Sequence, residues 1–207
     1  MIDLYSSPTP NGRKISIMLE ELGVDFNPIL INLDKKEQFS EHFSKISPAN
    51  KIPVIVDNDN NQTVFESGAI LLYLAKKYDK FLNKDKYWEI IQWVFFQMAY
   101  VGPMLGQAHQ YLFYHPGKSK FAEDKTKGYA QHIYSILDKR LSKQEYFSDT
   151  YSIADISIWP WTARYERHQI NLHDYPNVLR WYKQISIRPA VIKGYNSLGE
   201  FYEIPKP

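Results

Sequence analysis

Two adjacent polar residues, Glu66 and Ser67, stand directly before an apolar helical stretch, and together they suit an amino-acid head group. We expect Ser67 to cap the helix, so that a free carboxylate can bind to its hydroxyl and to the N–H groups of the first turn. Glu66 can bind an ammonium group beside it. The open alternative is an ordinary helix cap that binds no ligand.

The chain contains no cysteine among its 207 residues, which excludes disulfides, cysteine-ligated zinc and a cysteine nucleophile. Any thiol chemistry would therefore use a thiol that belongs to a ligand. The six histidines show no metal-ligand spacing, so no metal site is predicted.

The formal net charge of +2 argues against nucleic acid or a membrane surface as a partner. Four lysines are nevertheless close in sequence: Lys118, Lys120, Lys125 and Lys127. We expect a solvated helix face there, with anion binding as the alternative. The N-terminal MIDLYSSP lacks the pattern of a signal peptide, and the chain has no apolar run long enough to span a membrane. A cytoplasmic protein is expected.

The first 82 residues alternate between strand and helix patterns in the order β-α-β-α-β-β-α. The predicted strands are Ile2–Tyr5, Phe26–Ile31, Pro53–Val56 and Thr63–Phe65. The predicted helices lie around Ile15–Leu22, which ends at Gly23, around Gln38–Ile46, and from Ser67 to Tyr78. The opening β-α-β unit predicts parallel pairing, and the polar turn at residues 57–61 predicts an antiparallel hairpin at one edge.

Residues 87–207 show no strand alternation and predict an all-helical domain after a polar linker at 83–86. The fold class is therefore α/β followed by an all-α helical bundle, divided into domains 1–82 and 87–207. Ser152 and Asp155 have the spacing of a capping box, which leaves catalysis by Asp155 as the minor alternative. Five aromatic residues are expected in the helical core: Trp93, Phe95, Phe96, Trp159 and Trp161.

Pro53 stands where the third strand begins, although proline cannot donate a hydrogen bond inside a sheet. A β-α-β-α-β-β-α unit with a proline at this point resembles the thioredoxin-like fold, which implies a cis bond between Ile52 and Pro53. Ile52 would then present its N–H and C=O to an extended peptide ligand. An ordinary trans proline at the start of a strand is the alternative.

Four segments together resemble the glutathione S-transferase family, and within it the Nu-class bacterial disulfide-bond oxidoreductases. They read SPTPNGRKISIMLEELG, SPANKIPVIVD, FESGAILLYLA and GPMLGQAH. The resemblance implies a glutathione-dependent disulfide-bond reductase with weak transferase or peroxidase activity. It also implies that glutathione or glutathione disulfide binds, that the helical domain completes the second-substrate site, and that the chain forms a homodimer.

The same resemblance assigns roles along the bound glutathione. Thr9 and Asn11 are expected at the sulfur as the catalytic donors. Tyr5 lies in the strand where some classes carry a catalytic tyrosine, but we expect it to pack against neighbouring side chains. The other implied glutathione contacts are Gln38, Lys51, Ile52 and Pro53 along the peptide, Glu66 and Ser67 at the γ-glutamyl end, and Lys125 for a second glutathione. His109 either lines the site or is a structural histidine.

Two further functions stay open at this point. The chain could be a conventional transferase that conjugates glutathione to electrophiles. It could also be a non-enzymatic regulatory protein with the same fold, because function resides in a site and not in a fold.

Overall fold

The structure is a computed structural model that describes residues 1–199 and 201–207. The described chain divides into two compact units. The first comprises Met1–Leu82 and Ser186–Ile204, and the second comprises Asn83–Ile185 and Pro205–Pro207. Residues 186–204 thus group with the N-terminal unit, whereas the sequence had placed them in the helical domain.

The first unit contains a four-stranded sheet with strand order β2-β1-β3-β4. The strands are β1 (Ile2–Ser6), β2 (Phe26–Leu30), β3 (Val54–Asp57) and β4 (Gln62–Phe65). β1 pairs with β2 in parallel, while the β1–β3 and β3–β4 pairs are antiparallel. The predicted element order and pairing directions are confirmed. β3 begins one residue later than expected, because the proline precedes the ladder.

The helices of the first unit are α1 (Pro10–Leu22), α2 (Glu41–Ile46), α3 (Ser67–Tyr78) and, after the residues of the second unit, α9 (Pro189–Asn196). A 3₁₀ helix at Glu37–Phe39 precedes α2. Gly23 ends α1 in the left-handed conformation, at φ 68°, as its position predicts. Apolar side chains of α1, α3 and the central strands form the core.

Residues 186–204 join this unit because α9 packs closely on α1. A Cβ at Gly194 would lie 2.5 Å from the Ile17 Cα, so only glycine permits this approach. The Ser16 hydroxyl donates to the Gly194 carbonyl at 2.6 Å, and Arg188 forms a two-point ion pair with Glu21. A glycine contact across 177 residues leaves no local pattern, so the sequence did not indicate it.

The second unit is helical throughout its regular structure. Its helices are α4 (Tyr87–Phe96), α5 (Gly102–Ala108), α6 (Lys120–Leu141), α7 (Ile153–Thr162) and α8 (Pro176–Ser186), whose last residue belongs to the first unit. Two π-helical segments, Gln97–Val101 and His109–Tyr114, follow α4 and α5. None of the described helices has both the length and the apolar composition that a membrane crossing needs.

The predicted aromatic core is correct for Trp159 and Trp161, which are buried. It is wrong for Phe95, which is 64% exposed on α4. Trp88, seven residues earlier on the same helix, is 77% exposed. Both side chains lie on one face of α4, because seven residues make about two helical turns.

Candidate functional site

A cleft of about 200 Å³ lies in the first unit, where the loop before β3 meets the start of α3. Six residues that the sequence assigned to glutathione contacts line it, together with Ser47, Ala49 and Phe65. These six are Asn11, Lys51, Ile52, Pro53, Glu66 and Ser67. Segments more than 50 residues apart in sequence therefore meet in one place.

The loop that supplies Lys51 and Ile52 is held by the hydroxyl of Ser47. This hydroxyl donates to the Lys51 carbonyl at 2.8 Å and accepts from the Lys51 N–H at 3.0 Å. Both polar groups of the Lys51 backbone are satisfied before the chain reaches Ile52. The Ile52–Pro53 bond is cis, as the resemblance implied.

The start of α3 differs from its expected form. Glu66, not Ser67, occupies the N-cap position, with a φ of 70° and without a capping hydrogen bond from its side chain. Ser67 is the first helical residue, so its assignment as the cap was wrong. Glu66 is exposed, and Ser67 lines the cleft although only 4% of it is accessible. The N–H groups of a first helical turn have no intrahelical partner, so this end attracts anions.

Lys14 lies behind Ser67 and was not assigned any role from the sequence. Its ammonium donates to the Ser67 hydroxyl oxygen at 3.2 Å, and the residue is 1% exposed. Burial holds the pKa of Lys14 well below its ordinary 10.5, and the nearby Glu66 carboxylate acts in the opposite direction. One sequence signal could have indicated it: Lys14 precedes Met18 by four residues, on the buried side of α1.

The turn between β1 and α1 positions the two residues assigned to the sulfur. Thr9 is the N-cap of α1, and its hydroxyl oxygen accepts from the Gly12 N–H at 3.2 Å. A Cβ at Gly12 would lie 2.1 Å from the Ser7 carbonyl oxygen, so the tight turn requires glycine there. The Thr9 hydroxyl proton remains available to a ligand acceptor, because the cap uses only the oxygen.

Thr9 and Asn11 line different depressions. Asn11 lines the cleft described above, whereas Thr9 lines an open groove of about 680 Å³. The groove also has carboxylates, Asp34 and Glu37, and apolar side chains that include Leu30 and Leu198. Both depressions belong to the first unit.

Gln38 and Tyr5 lie outside the residues that line the cleft. Gln38 is on the 3₁₀ helix, half-buried, and its Oε1 has no hydrogen-bond partner among the described residues. The Tyr5 ring lies 6.4 Å from the Phe43 ring, and its hydroxyl lies 3.4 Å from the His42 ring nitrogen. This contact agrees with the expectation that Tyr5 packs against neighbouring side chains.

Lys125 lies on α6 in the second unit, with its ammonium 5.6 Å from the centre of the Phe121 ring and 5.8 Å from that of Tyr129. His109 is buried in the same unit, stacked on His168 with ring centres 4.7 Å apart. Burial, with Arg167 and Arg164 nearby, lowers the pKa of His109 to about 4. His109 is therefore a neutral, packed residue, which favours the structural alternative.

Asp155 also proves to be structural. The capping box at the start of α7 is present, as predicted. The carboxylate is fully buried and accepts from the N–H groups of Phe147 and Ser152 and from the Trp181 indole. Burial raises its pKa to about 6, against these hydrogen bonds, which lower it. Among the described residues, no group of three histidine or acidic side chains could hold a metal ion.

Comparison with family models gives two matches. The model described as glutathione S-transferase, N-terminal domain, matches residues 1–76, and the model described as glutathione S-transferase, C-terminal domain, matches residues 121–184. Disulfide-bond oxidoreductase YfcG of Escherichia coli (strain K12) is 43% identical over 198 residues, which cover 92% of each chain.

Two solved structures are similar over nearly the whole chain. A glutathione transferase from Pseudomonas putida, with one glutathione disulfide bound per subunit, has a TM-score of 0.90 and 36% identity, covering 96% of this chain and 92% of that one. A glutathione transferase from Burkholderia graminis, with two glutathione molecules bound per subunit, has a TM-score of 0.89 and 38% identity, covering 95% and 88%.

Proposed function

This chain belongs to the glutathione S-transferase family, and we propose that it is a glutathione-dependent disulfide-bond reductase. The observation that carries the proposal is the cleft between the Ile52 loop and the start of α3. It unites a carboxylate and a helix N-terminus, which match the ammonium and the carboxylate of a γ-glutamyl head group, with an Asn amide, which matches the thiol. The similarity to a disulfide-bond oxidoreductase supports the same conclusion.

The proposed pose follows the order of the lining residues. The γ-glutamyl ammonium binds Glu66, and its carboxylate binds Ser67 and the first turn of α3. The cysteinyl backbone pairs with the N–H and C=O of Ile52, next to Pro53, in the manner of an added strand. Lys51 and Gln38 contact the glycyl end. The thiol then lies towards Asn11 and Thr9, which donate to sulfur as the catalytic pair.

The proposed reaction is thiol–disulfide exchange. The bound glutathione thiolate attacks one sulfur of the substrate disulfide, a new S–S bond forms, and the other half leaves as a thiolate. A second glutathione thiolate attacks the glutathione sulfur of this mixed disulfide. Glutathione disulfide forms, and the second half of the substrate leaves as a thiolate that takes a proton from water. Two glutathione molecules are thus oxidised for each disulfide reduced.

The protein contributes position and thiolate stabilisation. A hydrogen bond that favours thiolate over thiol by about 1.4 kcal/mol lowers the thiol pKa by about one unit. A free thiol with a pKa of about 8.5 is only a few per cent ionised at neutral pH, so such a shift raises the reactive fraction several-fold.

We further propose that each subunit binds a second glutathione and that the chain forms a homodimer. We also propose that it belongs to the Nu class and is cytoplasmic. Lys125 is the proposed contact for the second glutathione, although an ammonium is a point charge and lacks the planar fork of arginine. The exposed Trp88 and Phe95 on one face of α4 support the homodimer, because large exposed apolar side chains often mark an interface.

Conjugation of glutathione to an electrophile is the second candidate. The open groove at Thr9 favours it, because Leu30 and Leu198 provide apolar surface beside a hydroxyl donor. A regulatory protein without catalysis is the third.

A pair of assays separates these functions. Glutathione-dependent reduction of a small disulfide, coupled to glutathione disulfide production, is run beside conjugation of an aromatic chloride. Strong reduction with weak conjugation supports the proposal, and strong conjugation alone contradicts it. Loss of both activities with glutathione still bound would favour the regulatory protein.

Replacement of Asn11 by Ala tests the assignment at the sulfur. We expect the rate of disulfide reduction to fall about tenfold to a hundredfold, because one donor to the thiolate is lost. Asn27→Ala, an exposed asparagine on β2 that donates to Asp3, is the matched control. An unchanged rate in Asn11→Ala would exclude the role of Asn11.

A further inference from the structure

We propose that the open groove beside Thr9 receives the substrate disulfide, and that Asp34 and Glu37 make it selective for alkyl disulfides that carry an ammonium group. The inference rests on the proposed function, because it takes the reaction to be disulfide reduction by bound glutathione. No further reactant is needed. The S–S bond of the substrate breaks as a bond to the glutathione sulfur forms, and the other half leaves as a thiolate.

The groove lies next to the turn that is proposed to hold the glutathione sulfur. Thr9 lines the groove, and Asn11, two residues later, lines the cleft. In the proposed pose the thiolate lies towards both residues, so it would face the groove as well as the cleft. The groove has a volume of about 680 Å³ and the cleft about 200 Å³, so a substrate in the groove would leave the cleft to glutathione.

Apolar surface forms part of the groove wall. Leu30, which is 51% exposed, and Tyr202, which is 40% exposed, both line it, together with the buried Leu198. A concave apolar surface with a few polar groups is typical of a site for a small molecule. The methylene groups on either side of a disulfide can be buried against this wall.

The charged side chains of the groove carry one sign. Among the described residues that line it, the charged ones are Asp34 and Glu37, and both are carboxylates. Asp34 is exposed and makes no hydrogen bond or ion pair with another described residue. Two carboxylates at the mouth of an apolar groove attract a cationic ligand and disfavour an anionic one.

Three cations lie near the groove but outside its lining. Lys35 and Lys36 belong to the same loop as the two carboxylates, and the groove lining includes neither of them. The buried Arg13 guanidinium lies 5.1 Å from the centre of the Tyr202 ring. A ligand in the groove therefore meets the carboxylates in the wall itself, whereas the cations act on it from a greater distance.

Hydrogen bonds within the loop after β2 hold the two carboxylates in place. The Asn32 N–H donates to Oε2 of Glu37 at 2.8 Å, and the Glu37 N–H donates to the Asn32 carbonyl at 3.1 Å. The Lys36 N–H donates to the Leu33 carbonyl at 3.1 Å, which closes a turn around Asp34. Carboxylates on an ordered loop lose less conformational entropy when a ligand binds.

The test measures kcat/KM for three disulfides, each divided by the rate constant of its uncatalysed reaction with glutathione. The disulfides are cystamine, which is cationic, bis(2-hydroxyethyl) disulfide, which is neutral, and 3,3′-dithiodipropionate, which is anionic. The division removes the effect of each substituent on the intrinsic exchange rate. We expect wild type to prefer cystamine over dithiodipropionate by about tenfold or more, with the neutral disulfide between them. Added salt should reduce this preference.

Two variants remove the charges with little change of shape. Asp34→Asn and Glu37→Gln should each lower the normalised kcat/KM for cystamine about threefold, and the double variant about tenfold. The neutral disulfide should change by less than about twofold, and the KM for glutathione should stay the same. Glutamine at position 37 keeps an oxygen for the Asn32 N–H. Asp25→Asn, an exposed aspartate of the same unit outside the groove lining, is the matched control and should keep the preference.

The failures of the two proposals are distinguishable. Absence of reduction for all three disulfides would overturn the proposed function and this inference with it. Reduction of all three at normalised rates within about twofold of one another would overturn the selectivity alone. A cystamine preference that survives in the double variant would overturn the assignment to Asp34 and Glu37. A raised KM for glutathione in the variants, with equal losses for all three disulfides, would mean that glutathione itself occupies the groove and would also overturn it.

Discussion

Helices α3 and α7 both begin next to a serine and an acidic residue, yet the two helix starts are built differently. At α7, the Ser152 hydroxyl accepts from the Ala154 N–H and the Asp155 carboxylate accepts from the Ser152 N–H. Both residues are buried. At α3, Glu66 makes no capping hydrogen bond and stays exposed.

This difference separates a structural helix start from the one that we propose to bind a ligand. The α7 side chains satisfy the donors of their own helix, and Trp181 and Phe147 occupy the remaining acceptor positions of Asp155. At α3, the acidic side chain faces outward and the serine hydroxyl is held by Lys14 from within. A helix start whose side chains do not cap it can use its N–H groups for a ligand.

The largest expected effect is on stability, when the buried Asp155 carboxylate at the start of α7 is removed. Asp155→Ala leaves buried donors of Phe147, Ser152 and Trp181 without their acceptor, which should lower the free energy of unfolding by about 3–5 kcal/mol. Chemical denaturation measures it. Asp149→Ala, an exposed aspartate of the same unit, is the control and should change stability by less than about 0.5 kcal/mol.

A loss below about 1 kcal/mol in Asp155→Ala would contradict the structural account of this residue. The glutathione affinity of the folded fraction should be unchanged. A loss of affinity would show that the start of α7 is not purely structural, which would contradict the difference drawn between the two helix starts.

The next effect is a pH dependence of stability. The pKa of Asp155 rises from 3.8 to about 6 on folding, mainly through burial. Between these values the native state binds more protons at this group than the unfolded state, so its contribution to stability falls as pH rises. A shift of about two units corresponds to about 3 kcal/mol.

Asp155→Asn isolates this contribution, because other titrating groups, including His109, are common to both proteins. The stability advantage of wild type over the Asn variant should be about 2 kcal/mol larger at pH 4 than at pH 7, because part of the full range already lies below pH 4. Denaturation at four pH values measures the difference. A stability difference that is independent of pH, or that grows as pH rises, would show that the hydrogen bonds to Asp155 outweigh its burial.

The smallest expected effect is on glutathione affinity, when the charge of Glu66 at the start of α3 is removed. Glu66→Gln should weaken glutathione binding about tenfold to a hundredfold without lowering stability, because it removes the charge that we propose binds the ammonium. It should weaken glutaryl-Cys-Gly, which has no ammonium, much less. Glu41→Gln, an exposed carboxylate of α2 paired with Lys45, is the matched control. Equal losses for both peptides would contradict the assignment of Glu66.

Local patterns predicted most of the fold. The strand alternation, the Gly23 end of α1 and the capping box of α7 each depend on residues within a few positions of one another, so their signals survive in a single sequence. The place of residues 186–204 depends on the contact of Gly194 with Ile17, which is a long-range packing event.

The site was predicted in part for the same reason. Asn11, Lys51, Ile52, Pro53, Glu66 and Ser67 meet in one cleft because the family motifs that name them are local. The sequence did not predict that Glu66, and not Ser67, occupies the N-cap position of α3. The positive φ of Glu66 arises from the strand-to-helix connection, which leaves no local signal. Lys14 was missed because its charge suggested an exposed residue, and only the folded chain shows its contact with Ser67.

The contrast between the two helix starts can be tested in one titration. Glutathione is added to ¹⁵N-labelled protein, and the amide resonances are followed. The account predicts that the amides of Ile52, Ser67 and Gly68 shift with a common affinity, whereas those of Ile153 to Asp155 do not move. Shifts at α7 with none at α3, or no shift at either helix start despite measurable binding, would contradict the cleft as the glutathione site.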